Sequence, residues 1–290
     1  MTVSPNRRRV VLAAAALPLL PALARAVAPA KIEDAFAALE KDLDGRLGIY
    51  AIDTGTGREF SYRADEAFAM CSTFKMMLSA AILQKSITQP GLLSKRIRYT
   101  KADMVFHVPI TEKHLDTGMT VQELCDATMR YSDNAAANLL MKELGGPADV
   151  TAYARSIGDQ AFRLDRWETE LNTAIPGDPR DSTTPRAMAQ SLRKIALGDA
   201  LPAAQRQLML EWLVGNTTGA ARMRAGLPKD WKVGDKTGAG AYGSNNDIAI
   251  IWPPGRAPVV AAMYSVRKEE KIDSRPDILA SAARLIAAAL

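Results

Sequence analysis

Residues 76–83 read Met-Met-Leu-Ser-Ala-Ala-Ile-Leu, and seven of the eight are apolar. The run predicts a helix that is apolar nearly all round, with no face to give to water. Such a helix must be buried, so the chain needs other elements packed about it and a sizeable core. Its 290 residues, 48% apolar and 24% charged, are enough for one large domain or two intimately packed lobes.

The patterns on either side of that helix differ from it. Ile32, Ala35, Phe36 and Leu39 fall at helical spacing and predict a first helix over 32–43, ended near Gly45. Segments 47–54 and 59–63 read as a strand hairpin about Thr54-Gly55-Thr56-Gly57. From about 72 to 214 the pattern is mostly helical, most clearly over 121–130, 135–144 and 187–197. A stretch rich in proline and aspartate, about 163–185, interrupts it, and so long a loop inside a compact domain is usually functional. Strand patterns return over 231–237, 247–252 and 259–266, and 278–290 closes as a helix. Strands at both ends with helices between predict an α/β (α+β) fold. An antiparallel sheet flanked by helices would be built from both chain ends, about 27–65 and 215–290. An all-helical lobe of about 66–214 would face it across a cleft.

The N-terminus narrows the setting. Arg7, Arg8 and Arg9 precede an apolar stretch over 10–23 and then Ala24-Arg25-Ala26, the layout of a secretory signal peptide. The apolar stretch is too short and too rich in proline for a membrane span. Removal of residues 1–26 would leave 27–290 as the mature domain; an uncleaved anchor is the plainer alternative. The four arginines of the leader account for all but +1 of the net charge of +5, so the mature chain has no basic excess for nucleic acid. The expectation is a periplasmic or secreted monomer without stable membrane association, exported by the Sec or the twin-arginine route. Two cysteines, Cys71 and Cys125, and two histidines, His107 and His114, show no metal-ligand spacing, so neither a metal nor another cofactor is expected.

Ser-x-x-Lys occurs three times, as Ser72/Lys75, Ser191/Lys194 and Ser265/Lys268. Only the first opens the buried helix. There the serine meets the positive end of the helix dipole, and Lys75 lies one turn on. A serine hydroxyl is a poor nucleophile without an adjacent base, and a lysine held in such a site loses its proton far below about 10.4. Taken alone, the match is better explained by a helix-capping serine and a surface lysine. Ser132-Asp133-Asn134 lies between two predicted helices, and Lys236-Thr237-Gly238 ends a predicted strand. Each alone reads as a capping cluster or an edge lysine with a turn; all three in this order point to acyl transfer through serine. Gly238, Gly240 and Gly243 also spell a dinucleotide-binding pattern, but a strand follows where that motif needs a helix. The glycines instead suit a ligand that approaches a strand edge closely.

With these motifs the chain resembles the class A serine β-lactamases over essentially its whole mature length. The most specific stretch is Arg166-Trp167-Glu168-Thr169-Glu170-Leu171-Asn172, continuing to Pro176-Gly177-Asp178-Pro179-Arg180-Asp181, which is similar to the family's Ω-loop. The resemblance implies a β-lactamase/transpeptidase-like fold, hydrolysis of the amide bond of penicillins and cephalosporins, and resistance to those antibiotics. β-Lactamase inhibitors would be further ligands. It implies Ser72 as nucleophile, with the backbone N–H groups of Ser72 and Ala239 as oxyanion hole. Ser132 would relay the proton to the lactam nitrogen, helped by Lys75 and Lys236. Asn134 would bind the substrate's side-chain amide, Lys236 and Thr237 would hold its carboxylate, and Gly238 would also touch the substrate. Glu168, with Asn172, would activate the water that frees the serine. Whether Lys75 or Glu168 is the acylation base stays open. Arg166 and Asp181 match the ends of an ion pair across the loop, and a cis peptide is implied between Glu168 and Thr169.

The chain also departs from the family pattern. Asn245 stands where many relatives have a carboxylate-binding arginine, and Arg222 occupies the position used instead by a subset that includes chromosomal cephalosporinases and serine carbapenemases. A surface charge is the other reading of Arg222. His107 stands where relatives place an aromatic at the cleft mouth, either to stack on substrate or as a plain surface histidine. Relatives' cysteine partners fall at Gly240 and Ser79 here, so Cys71 and Cys125 are expected to be free thiols. The rivals are a D-alanyl-D-alanine peptidase and a penicillin-binding sensor, which share the three motifs without Glu168.

Overall fold

This computed structural model describes residues 1–2 and 32–290, so nearly all of the expected leader lies outside the described residues. Helix α1 (Ile32–Leu43) leads into strands β1 (Gly45–Asp53), β2 (Glu59–Tyr62) and the short β3 (Phe68–Ala69). A 3-10 turn, Cys71–Thr73, runs straight into the buried helix α2 (Phe74–Thr88). Short β4 (Arg96–Ile97) and β5 (Met119–Thr120) precede three helices, α3 (Val121–Arg130), α4 (Asn134–Leu144) and α5 (Pro147–Ser156). The long loop leads to β6 (Ser182–Thr183), α6 (Pro185–Ala196), α7 (Ala203–Val214) and the one-turn α8 (Met223–Gly226). Strands β7 (Lys232–Ala239), β8 (Asn245–Trp252) and β9 (Val259–Arg267) and helix α9 (Pro276–Ala289) complete the chain.

The main sheet is antiparallel in the order β2-β1-β9-β8-β7, so strands from the two ends of the chain lie side by side. Its centre is the β1–β9 pairing, in register from Gly45 opposite Arg267 to Asp53 opposite Val259. Side chains alternate between two cores, as strand geometry requires. Leu47, Ile49 and Ala51 join Ala249 and Ile251 against α1 and α9, with Phe36, Leu43, Ile278 and Ile286. Tyr50, Ile52, Ile248 and Ile250 face the other way, into a core with Met188, Leu192 and the residues of α2. Because both faces are covered, β1 and β8 are buried almost end to end rather than alternating between buried and wet.

Every residue of α2 from Phe74 to Leu83 is buried, as the all-round apolar pattern requires. Two of them, Lys75 and Ser79, are polar. Ser72 sits in the 3-10 turn ahead of the helix, where backbone N–H groups are not yet committed to helical bonds. Strand β7 continues to Ala239, two residues beyond its expected end, and β8 begins at Asn245 rather than at 247. The polar Asn245 and Asn246 hide the strand from a hydropathy reading. Asn246 Nδ2 donates to the carbonyls of Ala69 and Met70 and Ser265 Oγ to the Asn245 carbonyl, whereas the buried Asn245 side chain finds no hydrogen-bond partner among the described residues. The two-stranded ribbons β3–β6 and β4–β5 have only two residue pairs each, too few to leave a period in the sequence. Cys71 and Cys125 are both free and buried. Among the described residues no helix is long and apolar enough to cross a membrane.

Leu78 is fully buried in α2, whereas Ile87 near the end of the same helix is 40% exposed. Leu78→Ala should lose about 3 kcal/mol of unfolding free energy, and Ile87→Ala less than about 1 kcal/mol. Urea unfolding of the two variants beside the parent protein measures both.

Candidate active site

The turn that carries Ser72 is tied down from three directions. Met70 N donates to the Asp181 carbonyl at 2.8 Å. Thr73 Oγ1 donates to the Met70 carbonyl at 2.8 Å, which also receives Asn246 Nδ2 at 3.0 Å. Strand β7 lies along the same turn, and Gly238 lets it. A Cβ there would stand 2.8 Å from the Met70 oxygen and 3.2 Å from Ser72 N. At Gly240 a Cβ would be 2.6 Å from the Asn172 oxygen and 2.8 Å from Cys71 Sγ. The edge of the sheet, the nucleophile and the long loop therefore touch through backbone.

Behind Ser72 lies a fully buried amine. Lys75 Nζ donates to the Ser132 carbonyl at 2.8 Å and to Asn134 Oδ1 at 2.5 Å, and it lies 3.0 Å from Glu168 Oε1 and 3.4 Å from Ser132 Oγ. Ser72 Oγ donates to Glu168 Oε1 at 3.4 Å. A second buried amine, Lys236 Nζ, donates to Ser132 Oγ at 3.1 Å and to the Thr237 carbonyl at 2.9 Å. Polar atoms thus run without a break from Ser72 through Glu168 and Lys75 to Ser132 and Lys236. Burial lowers the pKa of Lys75, with Glu168 opposing the shift. Burial, reinforced by Lys75 and Arg222, holds Lys236 well below the ordinary lysine range. Both amines are therefore poised to release a proton. The neighbouring Cys71 thiol is pushed the other way by burial, up to about 12, which keeps it unreactive.

Ser132-Asp133-Asn134 divides its labour. Asp133 is the cap of α4: its Oδ1 accepts from Ala136 N at 2.9 Å, and its Oδ2 from Ile110 N and Thr111 N at 3.0 and 2.9 Å. The plain capping reading is thus right for the middle residue. The flanking Ser132 and Asn134 reach the site, Ser132 from a left-handed backbone with φ 59°.

The long loop brings Glu168. Its ends are joined by Arg166 Nε donating to Asp181 Oδ2 at 2.5 Å, while Asp181 Oδ1 accepts the backbone N–H groups of Asp165 and Arg166. The Glu168–Thr169 peptide is cis. Asn172 Nδ2 donates to Glu168 Oε2 at 2.5 Å. Asn138 holds the Glu168 backbone on both sides, accepting from its N–H at 3.0 Å and donating to its carbonyl at 2.9 Å. Asn138 is absent from the sequence expectations. The clue was available: Asn134 and Asn138 are four apart, one face of a helix that is otherwise apolar over 135–141.

Nine of the twelve expected residues line one open cavity of about 430 Å³, namely Ser72, His107, Ser132, Asn134, Asn172, Arg222, Thr237, Gly238 and Ala239. Lys75, Glu168 and Lys236 lie buried just behind its wall. Thr237 Oγ1 shares a 2.5 Å hydrogen bond with Thr218 Oγ1. Arg222 is no surface charge: its Nη1 is buried and finds no hydrogen-bond partner among the described residues. Burial lowers its pKa, and the buried carboxyls of Asp247 and Asp235 act against that. Arg224 Nη2 donates to Asp235 Oδ1 at 2.6 Å, and burial and then Asp235 push Asp247 well above the usual carboxyl range. Asn245, which stands in place of the arginine of other relatives, is wholly buried in β8.

A serine beside a buried lysine–carboxylate pair, at a cavity open to a substrate, is the arrangement of a serine hydrolase. Residues 31–290 match the family model described as the beta-lactamase enzyme family. The chain is 55% identical to a carbapenem-hydrolyzing β-lactamase KPC of Klebsiella oxytoca, over 98% of this chain and 97% of the relative. It is 54% identical to β-lactamase CTX-M-25 of Escherichia coli over 97% of each. A solved β-lactamase structure from Desulfarculus baarsii is similar with a TM-score of 0.86 at 55% identity, covering 87% of this chain and 94% of that one. The chain belongs to the β-lactamase enzyme family, as a class A serine β-lactamase.

Asn138→Ala releases both backbone groups of Glu168. The variant should lose about 2 kcal/mol of stability and should form acyl-enzyme faster than it hydrolyses it. Urea unfolding and stopped-flow separation of the two steps on a chromogenic cephalosporin measure these effects.

Proposed function

We propose that this enzyme hydrolyses the β-lactam amide through an ester on Ser72 that water, activated by Glu168, then cleaves. Ser72 Oγ attacks the lactam carbonyl carbon, and its proton passes to the Lys75–Glu168 pair, whose members are 3.0 Å apart. Backbone N–H groups of Ser72 and Ala239 receive the oxyanion, each such donor being worth roughly 3 kcal/mol of barrier. The carbon–nitrogen bond breaks as Ser132 Oγ gives its proton to the nitrogen and is reprotonated from Lys75 or Lys236, both within hydrogen-bond reach of it. Glu168, oriented by Asn172, takes a proton from water. The hydroxide attacks the ester carbonyl, the ester C–O bond breaks, and Ser72 Oγ recovers its proton. Lys236, Thr237, Gly238 and Arg222 hold the substrate's carboxylate end. Asn134 binds the side-chain amide with the Nδ2 hydrogen that Phe106 does not occupy, and His107 borders the same cavity.

One observation carries this reading: a buried carboxylate 3.4 Å from the nucleophilic oxygen, held by Asn172. A serine ester in that position has a base beside it, which is why a D-alanyl-D-alanine peptidase or a penicillin-binding sensor is not favoured. The setting follows from the leader. Residues 1–26 direct export and are removed, and 27–290 act as a monomeric catalytic domain in the periplasm or outside the cell, without stable membrane association. β-Lactam-based inhibitors acylate the same serine.

Turnover of a chromogenic cephalosporin with intact mass spectrometry tests the scheme. Glu168→Gln should accumulate a stoichiometric covalent adduct, and deacylation of that variant at the parent's rate would remove Glu168 from its role. Arg222→Ala should raise KM for penicillins about 10-fold with a smaller change in kcat. Unchanged kinetics would mean that Arg222 takes no part in binding the carboxylate.

A further inference from the structure

The buried Arg222 Nη1 has no hydrogen-bond partner among the described residues, so the aim of the guanidinium depends on the backbone that carries it. That backbone is held on both sides. Arg222 N donates to the Gly219 carbonyl at 3.0 Å, and Ala225 N donates to the Arg222 carbonyl at 3.0 Å. The next two residues are docked on the sheet by acids. Met223 N donates to Asp247 Oδ2 at 3.1 Å, and Arg224 donates to Asp235 Oδ1 through Nε at 2.9 Å and Nη2 at 2.6 Å. A Cβ at Gly219 would collide with Asp235 Oδ2, so the turn before Arg222 lies against the same acid.

Asp235 and Asp247 are both wholly buried. Asp235 on β7 stands opposite Ala249 on β8, and Asp247 stands opposite Thr237, so the two acids are diagonal neighbours on one face of the sheet. Each keeps one oxygen, Asp235 Oδ2 and Asp247 Oδ1, without a partner among the described residues. One proton on Asp247 Oδ1, donated to Asp235 Oδ2, satisfies both. Burial and then Asp235 favour that proton.

We propose that Asp247 is a positioning residue for Arg222: as a neutral acid it accepts from Met223 N and donates to Asp235, and so docks the turn that aims the guanidinium at the substrate's carboxylate. The inference rests on the reading of Arg222 as a carboxylate-binding residue. Asp247 itself lies outside the lining of the catalytic cavity. An asparagine at 247 can do the same work, its oxygen accepting from Met223 N and its amide donating to Asp235. A leucine fills the space and does neither.

The experiment compares the parent with Asp247→Asn, Asp247→Leu, Arg222→Ala and the double variant of Arg222→Ala with Asp247→Leu. Each is measured for steady-state hydrolysis of a penicillin, with thermal unfolding to show that it is folded. Asp247→Leu should raise KM about 5-fold while kcat stays within about 2-fold. Asp247→Asn should keep the parent's KM. In the double variant the leucine should add no more than about 2-fold to the effect of Arg222→Ala. An unchanged KM in Asp247→Leu, a full leucine effect without Arg222, or an asparagine variant as impaired as the leucine one would overturn the assignment. Asp247→Ala replaces the leucine variant if that one does not fold, and failure of both to fold would overturn the assignment too, by making Asp247 a residue of stability. Unchanged kinetics in Arg222→Ala would instead remove the reading of Arg222, and this inference with it, and would leave the Ser72 and Glu168 chemistry standing.

Discussion

The arrangement turns on a lysine amine with no access to solvent. Lys75 Nζ is met by a carbonyl from the turn before α4, an amide oxygen from the first residue of α4 and a carboxylate from the long loop. Removing an ammonium from water costs several kcal/mol, and close partners must offset it together. Those partners come from segments 57 to 93 residues further along the chain, so docking the helical elements and assembling the catalytic centre are one event. Lys236 adds a second buried amine whose field opposes the first. Two like charges at the centre of a protein are a poor stabilising device. Their pKa values, lowered chiefly by burial, make them a good proton-handling one.

The sheet is oriented to serve this centre. Its edge strand β7 runs beside the Ser72 turn at backbone distance, which Gly238 permits, and Asn246 on β8 reaches the same turn with its side chain. The long loop closes the other side. Its ends are joined at Asp181, its middle is held by Asn138, and the Asn172 carbonyl accepts from Ala241 N just beyond the end of β7. Ser72, Lys75, Lys236 and Glu168 are thus fixed by main-chain bonds and short polar side chains. Phe106 and His107 form part of the rim of the cavity.

Much of this was legible in the sequence because the physics behind it is periodic or local. The all-round apolar helix, the strand patterns at both ends and the three short motifs follow from side-chain spacing, and Glu168 from the stretch that resembles the family loop. The remainder depends on contacts between distant segments. Ribbons of two pairs carry no period. Asn245 and Asn246 look like loop until the turn at Met70 gives Asn246 its partners. Asn138 reads as an ordinary helix residue until the loop lies across it. Arg222 keeps a surface charge as its second reading, since nothing local says that the carboxyls of Asp235 and Asp247 lie near it. Exposure of Phe106 is invisible in a composition that calls every phenylalanine core.

The sheet order has a consequence for how the protein is made. Strand β1 pairs with β9, and Thr54 beside one bonds to Pro258 beside the other, 204 positions later. A chain released from its N-terminus therefore makes β1 and β2 long before β9, the other partner of β1, exists. Lys236 and the glycines of β7 also arrive late. Until the last strands emerge, Ser72 belongs to a chain with no closed sheet and no catalytic surroundings, since contacts this distant in sequence form only after a long loop closes. Such a protein cannot assemble its site piecemeal, because β7 and β9 are among the last segments made.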